Sequence, residues 1–397
     1  MRNRGALRFV VIAAAANVIA LLPAFLLGAL SVFIAEDLKL GVTTVGLTVG
    51  AFFLAVCLTS IPNGRIVEWL GIGAGVRVFA LASAGVMTLF AIGVHDSVSL
   101  LLASFAAGVV ASFGQLVANL ALGWGVRPGK LGLAFGISQS AIPAATFLSG
   151  LAVPVVTVQN WSVAFACGAG IALLLLFCSA FIQVRSDHRR DVPVRERESS
   201  WGQVSATHYV LIAFGSMFGA IATIPVLTFA VPAAIQVGSQ PATSGVMLAA
   251  ICGLTIMTRI ALGATADRIR TTHHLVVVSV MLAVGVIGTV LLAWGGGGVF
   301  AFYLGITLAL AIGNGWQGFL LYSIVRRNSH APAAASSLAL AGGSFGSAVG
   351  PFVFGLLVET GSFQIAWVST ALAGVVAAVF LLCARASASD AHPLVAA

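Results

Sequence analysis

Few side chains in this 397-residue sequence are equipped for chemistry, and the most conspicuous is Arg259. It follows an apolar stretch, Val246–Met257, and stands in "TRIALGATADRIR", Thr258–Arg270. A guanidinium is a permanent cation with five N–H donors, suited to gripping an anionic group by charge-assisted hydrogen bonds. The remaining candidates are uncharged amides within apolar runs: Asn17, Gln115, Asn119, Gln139, Asn314 and Gln317, with Trp316 and Tyr322 as aromatic walls. Gln115 and Asn119 are four residues apart, Asn314 and Gln317 three, so on regular helices each pair shares a face. Such a set binds a solute by hydrogen bonds and charge. It does not catalyse: the sequence holds no nucleophile–base pair, metal cluster or phosphate loop, so neither an enzyme nor a cofactor is expected.

The elements that must position these residues are membrane spans. The chain is 60% hydrophobic and only 8% charged, with a mean hydropathy of +1.09. Soluble domains carry about a quarter charged residues, so the composition is that of an integral membrane protein. The net charge of +8 does not indicate a nucleic-acid partner, because the basic residues punctuate apolar runs and form no basic domain. Five cysteines, Cys57, Cys167, Cys178, Cys252 and Cys383, lie in apolar segments without metal-ligand spacing and read as packing residues. The apolar run Phe9–Ala35 is longer than the 7–15 residues or so of a signal-peptide core, and is expected to stay attached as a first span.

A helix needs about 20 apolar residues to cross the hydrocarbon. Breaks at charges, Gly and Pro give twelve spans: 9–35, 43–63, 74–94, 98–123, 132–156, 162–184, 208–235, 242–264, 274–294, 299–324, 333–357 and 364–383. The connections are short except for the charged stretch Arg185–Thr207. The expected organisation is an all-α membrane protein: a six-helix bundle (1–184), a linker (185–207) and a second six-helix bundle (208–397).

Charge sets the orientation. Seventeen of the 19 Lys and Arg residues fall on the side of the termini and the linker, Lys39 alone on the other, and Arg259 within a span. Both termini are therefore expected in the cytoplasm. Glu36, Asp37, Asp96 and Glu359 fall in outer loops and the other seven carboxylates on the inner side, so no span embeds an acid.

The two halves repeat. "GRIVEWLG" (Gly64–Gly71) follows span 2 and "GATADRIR" (Gly263–Arg270) follows span 8, their leading glycines 199 residues apart. Arg127 and Arg327 are 200 apart, and Trp161 and Trp367, opening spans 6 and 12, are 206 apart. Parallel six-helix repeats with a solute site between them near mid-membrane are a transporter plan.

On these residues the sequence resembles the major facilitator superfamily over essentially its full length. The superfamily's loop motif, Gly-x-Leu-Ala-Asp-Arg-x-Gly, is kept at Gly263, Ala266, Asp267 and Arg268, with Arg270 in place of the last glycine. The first copy keeps Gly64 and Gly71, has Glu68 for Asp and lacks the Arg. Span 11 carries "GSFGSAVGPFVFG" (Gly343–Gly355), similar to the superfamily's Gly-Pro pattern, and span 5 a related "GISQSAIPAATFLSG" (Gly136–Gly150). The resemblance implies twelve helices in two pseudo-symmetric bundles. It implies that Gly64, Glu68, Gly71, Gly263, Asp267 and Arg268 belong to a gate and not to a solute site. It also implies that spans 1, 4, 7 and 10 line a central cavity, helped by 2, 5, 8 and 11. Gly342, Gly346 and Gly350 form a row that lets helices approach closely, and Pro351 removes a backbone donor beside it.

At about 1.5 Å per residue, Arg259 lies roughly 12 Å along the axis from Asp267, not far short of the midplane of a core about 30 Å thick. A cation there costs about 2.5–3.5 kcal/mol. It either snorkels toward the inner water or meets a mobile anion. Span 8 resembles branches that carry monocarboxylates or oxalate, which implies the second role. Departures from those branches are Thr255, where an Asp often stands one turn earlier, and the lack of a basic residue on span 11. A single positive charge suits a monovalent anion. The expected function is alternating-access transport of a small organic solute, a monovalent organic anion, by a monomer in the bilayer, with a proton as a further candidate partner. Two alternatives stay open: an exporter of hydrophobic drug-like compounds, and a non-transporting sensor or scaffold. A short-looped chain of this kind fits a bacterial inner membrane.

Overall fold

The computed structural model describes residues 2–125, 136–181, 206–266, 273–295, 297–327 and 332–389. These residues are almost entirely helical, and no strand occurs among them. Among the described residues, eleven helical segments are long and apolar enough to cross a membrane. One, Val42–Ile92, is 51 residues long and holds two spans, so the expected twelve are present. Large apolar side chains such as Leu81, Leu102, Leu174 and Leu372 are exposed on the outside, where lipid replaces water as their solvent.

The joint between spans 2 and 3 differs from expectation. The stretch Gly64–Gly71 reads as a loop, yet the helix continues through it until Gly71, whose φ of 71° breaks it. Residues 64–70 contain no proline, and one glycine costs an established helix only about 1 kcal/mol. The turn therefore waits for a residue that enters the left-handed region freely, which is glycine. The second copy behaves alike: span 8 stays helical to Ala266. Asp267, Arg268 and Arg270, with most of the linker, lie outside the described residues. Span 1 is also shorter than read. Its helix ends at Ala29, and Ser31–Leu38 forms a separate short helix that carries Glu36 and Asp37. From there Asp37 Oδ2 accepts a hydrogen bond from Trp161 Nε1 at 2.7 Å, fixing the start of span 6.

Between the bundles, span 1 packs on span 7, span 2 on span 11 and span 5 on span 8. On the side away from the termini these contacts run backbone to backbone. A Cβ added at Gly46 would lie 2.2 Å from the Pro351 carbonyl oxygen, and one at Gly150 would lie 2.7 Å from that of Gly245. Glu359, on the last turn of span 11, accepts a hydrogen bond at 2.8 Å from the Thr43 N–H, an otherwise unpaired donor in the first turn of span 2. This half is sealed. The glycine row of span 11 faces its own bundle instead, with Gly342 and Gly346 against span 7 carbonyls and Gly350 against Ile221 and Pro225.

Candidate functional site

On the terminal side of the seal, the bundles part around a cavity of about 180 Å³. Six of the eight expected solute-contact residues line it: Asn17, Gln115, Asn119, Gln139, Trp316 and Gln317. The amides come from spans 1, 4, 5 and 10, so both halves contribute. Asn17 Nδ2 donates to Ser138 Oγ at 3.2 Å, joining spans 1 and 5. Trp316 is only 1% exposed, its Nε1 donating to Thr223 Oγ1 at 3.0 Å, so the indole is fixed in the wall by span 7. Gln317 Oε1 and Ser216 Oγ are buried without hydrogen-bond partners, and both residues line the cavity. Phe25, Phe53 and Leu21 supply apolar wall. No charged side chain lines the cavity among the described residues. Ser138, Ser216, Ser344 and Ser347 were not singled out in the sequence, where a serine inside a helix is indistinguishable from one bonded to its own backbone.

Asn314 departs from expectation. It is 0% exposed and does not line the cavity, although Gln317, three residues on, does. The cause is local geometry. Span 10 runs as α-helix from Gly298 to Thr307, widens to a π-helix over Leu308–Ile312, tightens to a 3-10 turn over Gly313–Gly315, and resumes as α-helix at Trp316. Asn314 sits in the 3-10 turn and Gln317 in the α-helix that follows, so the regular-helix spacing on which a shared face was expected does not hold between them.

Arg259 uses that irregularity. Its Nη1 donates to the Gln139 carbonyl of span 5 and its Nη2 to the Asn314 carbonyl of span 10, while the preceding Thr258 Oγ1 donates to the Ala311 carbonyl. Departures from the α-helical ladder leave carbonyls for side chains to satisfy, and span 8 fills two of them. Arg259 is 3% exposed and lines no part of the large cavity. It borders a smaller space of about 20 Å³, walled also by Gln139, Gly136, Gly263, Phe319 and Tyr322. Its Nε has no hydrogen-bond partner, and among the described residues no carboxylate pairs with it. Gln139 lies in both linings, so it is the partition between the cavity and the arginine.

Of the gate residues, Gly64 and Glu68 lie on the helical extension of span 2, with Glu68 exposed, and Gly71 makes the turn. Gly263 closes on Gly136 beside Arg259. Thr255, one turn before Arg259, is buried and bonded to the Ile251 carbonyl at 2.8 Å.

Comparison with known proteins agrees with this architecture. The family model described as Major Facilitator Superfamily matches residues 12–339. None of the curated protein sequences matches the chain. Among solved structures the chain is similar to a bacterial homologue of the human lysosomal transporter Spinster, crystallised in an inward-facing and occupied conformation. The TM-score is 0.70 at 13% identity, over 96% of each chain, a likeness of fold. The chain belongs to the Major Facilitator Superfamily: it is a multi-pass membrane transporter and not an enzyme.

Proposed function

We propose that this transporter moves a small organic solute by alternating access through the cavity between its bundles, and that the solute is a monovalent organic anion. The observation that carries the reading is the cavity itself, closed on one side by backbone contacts and lined by amides from both halves. Asn17, Gln115, Asn119 and Gln317 would hold the polar end of the solute, and Phe25 and Phe53 its apolar part. Arg259 supports the anion reading by its field. It is a cation that no carboxylate among the described residues pairs with, one side chain behind the wall, in a medium where charge is poorly screened. Its direct bonds in this conformation go to the protein. We place the linker and both termini in the cytoplasm on the distribution of Lys and Arg, so the cavity faces inward. We further assign the chain to a bacterial inner membrane, acting as a monomer of two bundles (1–184 and 208–397), with Gly64, Glu68, Gly71, Gly263, Asp267 and Arg268 serving its gate.

The test is thermal stabilisation of purified protein by a panel of monocarboxylates, followed by counterflow of any hit in proteoliposomes. A ligand of the folded state raises stability by RT ln(1 + [L]/Kd). Saturable stabilisation and counterflow by a monocarboxylate support the reading. A panel without response overturns it in favour of a second reading, export of uncharged hydrophobic compounds, which the uncharged and partly aromatic cavity wall favours.

A further inference from the structure

We infer that the two bundles swing about one fixed point, the terminal-side contact between spans 5 and 8, and that Arg259 ties this point as a positioning residue. The inference rests on the alternating-access reading but on no particular solute. Two long seams between the bundles differ. On the sealed side spans 2 and 11 meet at Gly46 and Gly50, where an added Cβ would press on the Pro351 and Ala348 carbonyls. Toward the termini they part. Gly64 falls about five turns after Gly46 at 3.6 residues per turn, on the same face, yet an added Cβ there has no described atom within 4 Å. On span 11 Ala348 is buried, while Ala341, about two turns nearer the termini on the same face, is exposed. Leu340 beside it is 50% exposed and lines the cavity. Spans 5 and 8 stay together over the same depth. Their contact runs from Gly150 against Gly245 to Gly136, where an added Cβ would lie 2.9 Å from the Arg259 carbonyl oxygen and 3.2 Å from Gly263 Cα. Gly136 and Gly150 stand roughly 21 Å apart along the axis at 1.5 Å per residue. A cavity open along one seam and shut along the other is the shape left by rotation about the shut one.

Arg259 ties the shut seam. Its Nη1 donates across the seam to the Gln139 carbonyl in the other bundle, and its Nη2 to the Asn314 carbonyl within its own. Such charge-assisted bonds are roughly twice as strong as neutral ones. Parting the seam here would take one bond from a cation that is 3% exposed and leave the carbonyl it serves unpaired. Gly136 and Gly263 carry no side chains to interlock, so the helices can change angle around the tie. A point is held and the angle is left free, which is what a pivot needs. Gln139 enters the cavity wall from this point, so it moves least as the bundles swing, and Val56 and Leu340 across the cavity move most.

The experiment measures distances between spin labels in the full-length protein in nanodiscs, with its five native cysteines replaced by alanine. One pair, Ile61→Cys with Ala341→Cys, spans the mouth from exposed sites; the other, Ile137→Cys with Ala264→Cys, spans the tied seam. Gly46→Trp bars closure against Pro351 and so favours opening of the sealed face; Gly355→Trp does the same from span 11, against Val42. In either variant the first distance is expected to shorten by several ångström and the second to hold within about 2 Å. A second distance that changes as much as the first, or no change at either pair, overturns the pivot. Arg259→Gln should broaden the second distribution, and Arg259→Lys, which keeps a charge and a donor, should leave it narrow. A role in stability alone would lower the melting temperature of Arg259→Gln without broadening, and that result overturns the tie. Should the glutamine variant fail to fold, the tryptophan variants decide, since a point that parts is no pivot. The distances need no solute, so the two readings fail separately. A seam that holds without any carboxylate response leaves the pivot and removes the transported anion. Seams that part together beside a carboxylate response do the reverse.

Discussion

Spans 4 and 10 occupy matching places in the two halves, and each carries a pair of amides near mid-depth. On span 4, Gln115 and Asn119 both reach the cavity, because Ser97–Gly125 is one uninterrupted α-helix. On span 10 the pair divides: Gln317 enters the cavity and Asn314 is turned into protein, with a π segment just before them and Asn314 itself in the 3-10 turn. Repetition of a helix across two halves therefore does not repeat its chemistry. Span 4 offers two side-chain amides to the solute. Span 10 offers one, and its second position supplies a backbone carbonyl that receives Arg259.

The contrast is broken most severely at the arginine. Arg259→Leu removes two charge-assisted hydrogen bonds of about 1.5–3 kcal/mol each from carbonyls that stay buried. A fall in melting temperature of roughly 4 °C or more is expected. An unchanged melting temperature would show that the bonds to spans 5 and 10 carry no stability. Next comes the cavity face: Gln115→Ala and Gln317→Ala should each weaken solute binding roughly 5–10-fold, about 1–1.5 kcal/mol, with melting unaffected. The sharpest comparison is Asn314→Ala, which keeps the carbonyl and removes only a side chain whose two polar atoms lack partners. Solute affinity within about twofold of wild type is expected, and a loss as large as that of Gln317→Ala would return position 314 to the cavity face.

The motif glycines allow a smaller test of the same point, that local pitch decides a residue's role. Gly71→Ala forces a side chain into the left-handed region and should cost about 1–2 kcal/mol. Gly64→Ala lies in regular helix with nothing near an added Cβ, and should be neutral or raise stability by up to about 1 kcal/mol. Chemical denaturation of both variants separates a turn at 71 from a loop over 64–71. The smallest effect belongs to the regular span 4. There the Ser99 hydroxyl and N–H donate to Asp96 Oδ1 at 2.6 and 2.7 Å, holding that carboxyl below its ordinary pKa. A depressed carboxylate adds stability above its unfolded pKa and loses it as pH falls through the folded one. Ser99→Ala should move the Asp96 titration upward, read by carbon NMR of the carboxyl, with transport unchanged.

What the sequence made legible follows from what sets each feature. The twelve spans depend on length and hydropathy, which are additive along a chain, and they are where they were expected apart from their ends. The ends at Ala29, Gly71 and Ala266 were less legible, because a helix that has formed continues until geometry stops it. Five cavity amides could be named in advance, since an amide in an apolar run must face protein or cavity. The bonding of Arg259 could not. Its acceptors are main-chain oxygens 120 and 55 residues away in sequence, one of them where span 10 departs from regular helix. No side-chain pattern reports an acceptor of that kind.

The backbone-to-backbone seal has a consequence for how readily it opens. Gly46 and Gly150 bring no rotamers to the closed state, so separating spans 2 from 11 and 5 from 8 at these points releases almost no side-chain entropy. What separation wets there is carbonyl oxygen, such as that of Pro351, whose second lone pair water satisfies at once. Closing and opening thus differ little in either order or hydration at these contacts. For the alternating access proposed above, that profile would let the door swing many times.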